Sequence, residues 1–253
     1  MNDPSDTFDA VAAEYDAVRP PYPDKLFDDL AEAIGGDVQR VLEVGCGSGQ
    51  ATGGFLGLGW QVVAVDPGAE LIALARTRFS DVEFHVDRFE TFTPEPASFH
   101  LVASAQAWHW VDPTVSFPKA AIALRPGGWL AIFGHVPSSP PPKVLKVLEP
   151  IYAEIAPDLW RPPPQAWYLP EGPVRTLFDA SGLFGPVAHE AYIWSERVTA
   201  SGFVRQLRTR SDYNVIAQDR RDRLLTEVEK ALAPLGELVL RNETHLYLAE
   251  LRS

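Results

Sequence analysis

Two stretches of the chain carry residue types at spacings fit for chemistry. In the first, Val41-Leu42-Glu43-Val44-Gly45-Cys46-Gly47-Ser48-Gly49-Gln50, an apolar run containing an acid ends in three alternating glycines. Glycines permit the left-handed backbone of a tight strand-to-helix turn, and they let a ligand reach the main chain with no Cβ in the way. A dinucleotide fingerprint, G-x-G-x-x-G, would place its third glycine at Gln50; the spacing here is G-x-G-x-G after Glu43. A pyrophosphate needs a helix N-terminus aimed at it, whereas a cationic ligand prefers a nearby carboxylate. Two more acids follow apolar runs: Asp66 after Val62 to Val65, with Pro67 next, and Asp87 after Val82 to Val86, with Arg88 and Phe89 next. Asp66 is placed to accept both hydroxyls of a ribose. Asp87 is placed to accept from an adenine amino group while a neighbour covers the ring. Glycines at the first strand end and acids at three successive ends describe a nucleoside pocket without phosphate-binding groups.

The second stretch is Ser104-Ala105-Gln106-Ala107-Trp108-His109-Trp110, an amide, an imidazole and two indoles after the apolar run Phe99 to Ala103. Buried in a closed end, the indole and imidazole groups would each need a hydrogen-bond partner; a mouth opening on a ligand suits them better. Gln106 is a candidate to hold part of the ligand or a second substrate, and Trp108 and Trp110 are candidate pocket walls. His109 is a candidate general base or orienting donor, with plain packing as the alternative for His109 and Trp110. No metal is expected: the histidines at 85, 100, 109, 135, 189 and 245 show no paired ligand spacing, and Cys46 is the single cysteine.

These groups need elements to hold them. Short apolar runs predict strands at Val41 to Val44, Trp60 to Val65, Val82 to Val86, Phe99 to Ala103 and Trp129 to Phe133, with later alternation at Val187 to Trp194 and Thr244 to Leu251. Helices are predicted at Pro4 to Val18, Tyr22 to Ile34, Gln50 to Leu58, Ala69 to Phe79, Pro113 to Leu124, Lys143 to Ile155, Ala200 to Thr209 and Asp219 to Leu232. Strands alternating with helices imply a doubly wound α/β sheet. Residues 137–173 hold 11 of the 23 prolines, which excludes a long sheet strand there and marks a candidate lid. The expected organisation is one domain over 1–253, with a helical cover at 1–36, a core at 37–136, a Pro-rich insertion or lid at 137–182, and strands and helices completing the sheet at 183–253. Arg197, Arg205, Arg208 and Arg210 form a basic cluster, either a carboxylate-capturing group or a charged outer helix face.

The formal net charge of −12 disfavours nucleic acid as a partner. No apolar run reaches the roughly 18 residues of a membrane span, and the acidic start lacks an export signal, so the expectation is a cytoplasmic chain with no membrane partner.

Taken with these motifs, the sequence resembles the class I S-adenosylmethionine-dependent methyltransferases. Glu43 to Gly49 is similar to their first motif, Asp66 to their second-strand acid, Asp87 to their adenine contact, and Leu124 to Leu130 to the turn entering their fifth strand. Phe8 to Pro23, with Ala13, Tyr15, Arg19, Pro20, Tyr22 and Pro23, resembles the opening of a small-molecule subgroup that includes trans-aconitate-type methyltransferases, and Ser104 to Trp110 is similar to that subgroup's sequence after the fourth strand. His100, where the family usually has aspartate, and Gly53-Gly54 depart from the pattern. The resemblance implies a Rossmann-like seven-stranded, mostly parallel sheet and S-adenosyl-L-methionine as cofactor. It implies metal-free, in-line methyl transfer to a small organic acceptor, with O-methylation first; a non-catalytic module binding S-adenosylmethionine or S-adenosylhomocysteine is the alternative. Cofactor contacts would then come from Tyr15, Arg19, Glu43, Gly45, Gly47, Gly49, Asp66, Pro67, Asp87, Arg88, Phe89, Ser104 and Gln106, and the acceptor side from Gln106, Trp108, His109 and Trp110.

Overall fold

The computed structural model describes residues 20–35, 40–137, 139–160, 167–214 and 216–252. The expected helix Pro4 to Val18 lies outside these residues. Among them, one compact unit is built from stretches within 20–136, 165–192 and 244–253, and a second from stretches within 137–164 and 193–243. The predicted lid at 137–182 therefore divides: its first part belongs to the second unit and residues 167–182 to the first.

Seven strands form one sheet: β1 (Arg40–Val44), β2 (Gln61–Asp66), β3 (Glu83–Val86), β4 (Phe99–Ala105), β5 (Leu124–Pro137), β6 (Ala188–Val198) and β7 (Leu238–Glu250), in the order β3-β2-β1-β4-β5-β7-β6. The pairings of β1 with β2 and β4, of β2 with β3, and of β4 with β5 are parallel. Consecutive residues of these strands enter opposite cores. Val41, Val62, Leu101 and Ala131 pack with Phe27 and Phe55 on one face, while Leu42, Val63, Val102 and Leu130 pack with Phe117 and Trp108 on the other. This two-sided burial is why the runs are continuously apolar rather than alternating.

Helices cover both faces of the first unit: α1 (Asp24–Ile34), α2 (Thr52–Gly57), α3 (Ala69–Arg78), α4 (Pro113–Ala123) and, in the later chain, α6 (Val174–Ser181). In α1, Leu26, Phe27 and Leu30 are buried, as their helical spacing predicts. The α4 helix starts at Asp112, whose side chain accepts from the Thr114 amide at 2.8 Å, with Pro113 in the first turn. Sequence reasoning did not predict α6, because the prolines around it masked its eight residues. The β5 strand begins earlier than expected, at Leu124, and Arg125 to Gly128 form a bulge where the register shifts between Phe99 and Leu101.

The second unit contains α5 (Pro142–Ile155), α7 (Ala200–Arg208), α8 (Ser211–Asn214) and α9 (Gln218–Leu232), around a core of Val144, Leu148, Phe203, Leu207, Leu224 and Val228. Arg197, Arg205, Arg208 and Arg210 are exposed here. Arg197 pairs with Glu237 at 2.9 Å and Arg210 with Asp212 at 2.7 Å, which is the behaviour of a solvated charged face.

Candidate functional site

The three glycines after β1 each meet a different physical demand. All have positive φ: 72° at Gly45, 54° at Gly47 and 88° at Gly49. A Cβ on Gly45 would lie 2.2 Å from the Cβ of Ala107, so this residue lets the loops after β1 and β4 close on each other. A Cβ on Gly49 would lie 2.6 Å from the Phe79 ring. At Gly47 a Cβ would meet nothing within 4 Å among the described residues, leaving that side of the loop for a ligand to approach. The loop is laced to β2, with the Gly45 amide donating to the Val65 carbonyl at 2.8 Å.

Asp66 terminates β2 and braces this loop. Its Oδ2 accepts from the Gly47 amide and its Oδ1 from the Gly68 amide, both at 2.8 Å, and each carboxylate oxygen can accept more than one donor. Beneath the loop, Glu43 is fully buried. Its Oε2 accepts from the Thr52 hydroxyl at 2.5 Å, while its Oε1 has no partner among the described residues. Burial pushes its carboxyl up to about 8, with nearby Asp66 adding to the rise and the Thr52 hydrogen bond opposing it. An orphaned carboxylate oxygen in a dry site is costly unless a cation or a proton meets it. Cys46 beside it is buried, and that burial, with Glu43 and Asp66 nearby, raises its thiol well above the ordinary range and disfavours the thiolate.

Asp87 organises the turn after β3: its Oδ1 accepts from the Arg88 amide at 2.8 Å and the Thr91 hydroxyl at 2.5 Å. Lys119 of α4 clamps the same turn, donating to the carbonyls of Phe89, Glu90 and Phe92 at 2.9, 2.6 and 2.8 Å. Pro67 is exposed and Arg88 half-buried at these strand ends. Phe89 points inward instead, buried with its ring 6.0 Å from that of Trp108, so it is a core residue and not a cover for a base. Ser104 is fully buried and donates to the Val44 carbonyl at 2.9 Å, tying β4 to β1 rather than presenting its hydroxyl to a ligand. Tyr15 and Arg19 lie outside the described residues.

The aromatic stretch divides residue by residue. Trp108 is fully buried against Phe89 and Phe117, with an unpartnered Nε1 among the described residues; it fills the core and is not a pocket wall. Trp110 is 39% exposed. Gln106 adopts φ 58°, rare without a glycine, and its Oε1 accepts from the His135 backbone N–H at 2.7 Å while its own backbone N–H donates to the Phe133 carbonyl at 2.8 Å. It thus fixes the end of β5. His109 lies between Trp110 and Trp167, ring centroids at 4.7 and 5.8 Å, and its Nδ1 is 3.1 Å from the Tyr168 hydroxyl. Burial pulls its imidazole down to about 4, so at neutral pH it is uncharged and a weak base.

Sequence reasoning missed Tyr168 and the His135 cluster. His135 stacks on Tyr22 at 4.3 Å, its Nδ1 lies 2.9 Å from the Thr244 hydroxyl, and its Nε2 lies 3.3 Å from the Pro20 carbonyl. No spacing announces contacts between residues 115 positions apart. Among the described residues no group of three His, Cys, Asp or Glu side chains could hold a metal, and no helix is long and apolar enough to cross a membrane.

The family model described as a methyltransferase domain matches residues 42–132. That segment is similar to a methyltransferase domain. An uncharacterized methyltransferase of Mycobacterium tuberculosis is 36% identical over 130 residues, 51% of this chain and 52% of the relative. A ubiquinone biosynthesis O-methyltransferase of Xanthomonas euvesicatoria is 37% identical over 97 residues, 36% of this chain and 41% of the relative. The chain thus spans about half the length of the curated relatives it matches. A solved structure from Anaeromyxobacter dehalogenans, provisionally described as a type II methyltransferase, has a TM-score of 0.65 at 28% identity, covering 92% of this chain and 97% of that one. The matched segment runs from β1 into β5, five neighbouring strands that include the β3 edge, and the fold is Rossmann-like.

Proposed function

We propose that the chain is an S-adenosylmethionine-dependent methyltransferase acting on a small organic acceptor, by O-methylation, in a subgroup resembling the trans-aconitate-type enzymes. The observation that carries this reading is the buried Glu43, its Oε1 orphaned among the described residues, beneath a loop where a Cβ on Gly47 would meet nothing within 4 Å. A nucleoside ligand carrying an ammonium group answers both features. The residues present fit that cofactor: Glu43 would meet the ammonium, Asp66 the ribose hydroxyls, Asp87 the adenine amino group, and the open side of Gly47 the backbone of the ligand. When bound, S-adenosylmethionine supplies a methyl group already activated on a sulfonium. The chain's own task is then to hold the acceptor in line and keep water out. Gln106 and His109, with Trp110 and Trp167 beside the imidazole, are the acceptor-side candidates. The name of the Xanthomonas relative and the resemblance of Ser104 to Trp110 support oxygen as the methylated atom.

Calorimetry with S-adenosylhomocysteine and with NADH tests the reading. Binding of the first alone is the expected result; NADH binding without S-adenosylhomocysteine binding would reject it. Incubating the protein with labelled cofactor and metabolite pools then separates a transferase from a silent binding module, since only a transferase labels an acceptor.

A further inference from the structure

Tyr168 has no counterpart in the motifs of the sequence, yet several contacts fix it. Its side chain is 2% exposed, and its carbonyl accepts from the Tyr247 hydroxyl at 3.0 Å. Its ring packs so closely on Gly134 that a Cβ there would lie 2.6 Å from the ring and 2.8 Å from the Gln106 Oε1. Gly134 thus leaves room for Tyr168 and Gln106 together at the end of β5. Ring packing on Gly134 and the bond to its backbone carbonyl fix the Tyr168 residue, and its hydroxyl lies 3.1 Å from the His109 Nδ1.

We propose that Tyr168 is a positioning residue for His109: its hydroxyl donates to Nδ1, so the imidazole is held as the tautomer that carries its proton on Nε2. The direction follows from acid strength. A phenol, with a pKa of ~10, is a far better donor than the N–H of a neutral imidazole, so O–H···N is favoured over N–H···O. The depressed basicity of the buried ring agrees, because the neutral form is the one that accepts this bond. His109 then offers a hydrogen-bond donor that orients an acceptor atom, and a proton on the acceptor must leave by another route. That use of the donor rests on the methyltransferase reading; the tautomer does not.

The test is a two-bond ¹H–¹⁵N spectrum of the full chain labelled at histidine, at pH 7, with His109→Gln identifying the signals. A pyridine-like Nδ1 and a pyrrole-like Nε2 are expected; a pyrrole-like Nδ1 overturns the proposal. Tyr168→Phe keeps the ring and removes only the hydroxyl. It should shift His109 toward a tautomer mixture while the melting temperature falls by no more than about 2–4 °C. An unchanged tautomer in a folded Tyr168→Phe protein also overturns it. S-adenosylhomocysteine calorimetry on the same samples keeps the two readings apart. Normal binding with the wrong tautomer rejects this proposal alone, whereas absent binding with the expected tautomer rejects the methyltransferase reading alone.

Discussion

The loop after β1 and the turn after β4 begin at neighbouring strands and touch at Gly45 and Ala107, yet they are built on opposite principles. Among the described residues the glycine loop leaves things undone: Glu43 keeps an orphaned Oε1, and a Cβ on Gly47 would meet nothing within 4 Å. The aromatic turn is largely satisfied from within. Gln106 is spent on His135, His109 meets Tyr168, and Trp108 is core, its Nε1 the exception with no partner among the described residues. Unmet polar groups mark where a ligand contributes stability, while met ones mark a wall that gives shape. Aromatic and polar residues clustered after a strand are therefore a weaker sign of ligand contact than a buried acid with one oxygen unpartnered.

Four substitutions break or sharpen this contrast. The largest effect is expected at Trp108. Trp108→Ala should cost about 3–5 kcal/mol in urea unfolding, with cofactor affinity kept in the protein that remains folded. A stable variant that loses only activity would return Trp108 to the site. Next is Asp66→Ala, which removes acceptors for both a ligand and the Gly47 and Gly68 amides. It should weaken S-adenosylhomocysteine binding by roughly 10- to 100-fold in calorimetry, since hydrogen bonds to charged groups contribute about 1.5–3 kcal/mol.

Glu43→Gln gives a smaller effect, read through pH. The folded carboxyl is raised from 4.5 to about 8, so the folded state holds a proton that the unfolded state has released between those values. Its contribution is complete below pH 4.5 and is lost as pH rises through about 8, on the order of a few kcal/mol. The ligand-free protein should therefore lose thermal stability across that window, and Glu43→Gln should flatten the loss. Affinity for an ammonium-bearing ligand should move the other way, rising toward pH 8 as Glu43 ionises, and should be flat in the variant. An identical slope in both proteins would show that Glu43 is not the titrating group.

The smallest expected effect is at His109. With its imidazole lowered to about 4, methyl transfer should show no His109 limb between pH 5 and 8. A histidine limb near 6.5 that disappears in His109→Gln would make it a base after all, and would align the turn after β4 with the loop after β1 as a working surface.

Much of the fold was legible because its signals are local. Continuous apolar runs mark strands covered on both faces, and all seven predicted strands are present. Asp66 ends β2 and Asp87 follows β3, as their spacing implied, while Glu43 is the penultimate residue of β1. Side-chain direction was less legible. Phe89 stands beyond the end of β3 and Ser104 near the end of β4, but one turns into the core and the other ties β4 to β1.

The sequence by itself determined which loops meet at the centre of the sheet, because glycine spacing and strand length are properties of a few consecutive residues. Tertiary structure alone decided which of their side chains are left without a partner. Partnership is set by residues far along the chain: Tyr168 stands 59 positions from His109, and Thr244 stands 109 from His135. No local pattern encodes such a meeting. It follows from the packing of β5, β7 and the segment before α6, which satisfies Gln106 and His109 and, among the described residues, leaves Glu43 with an oxygen still to pair.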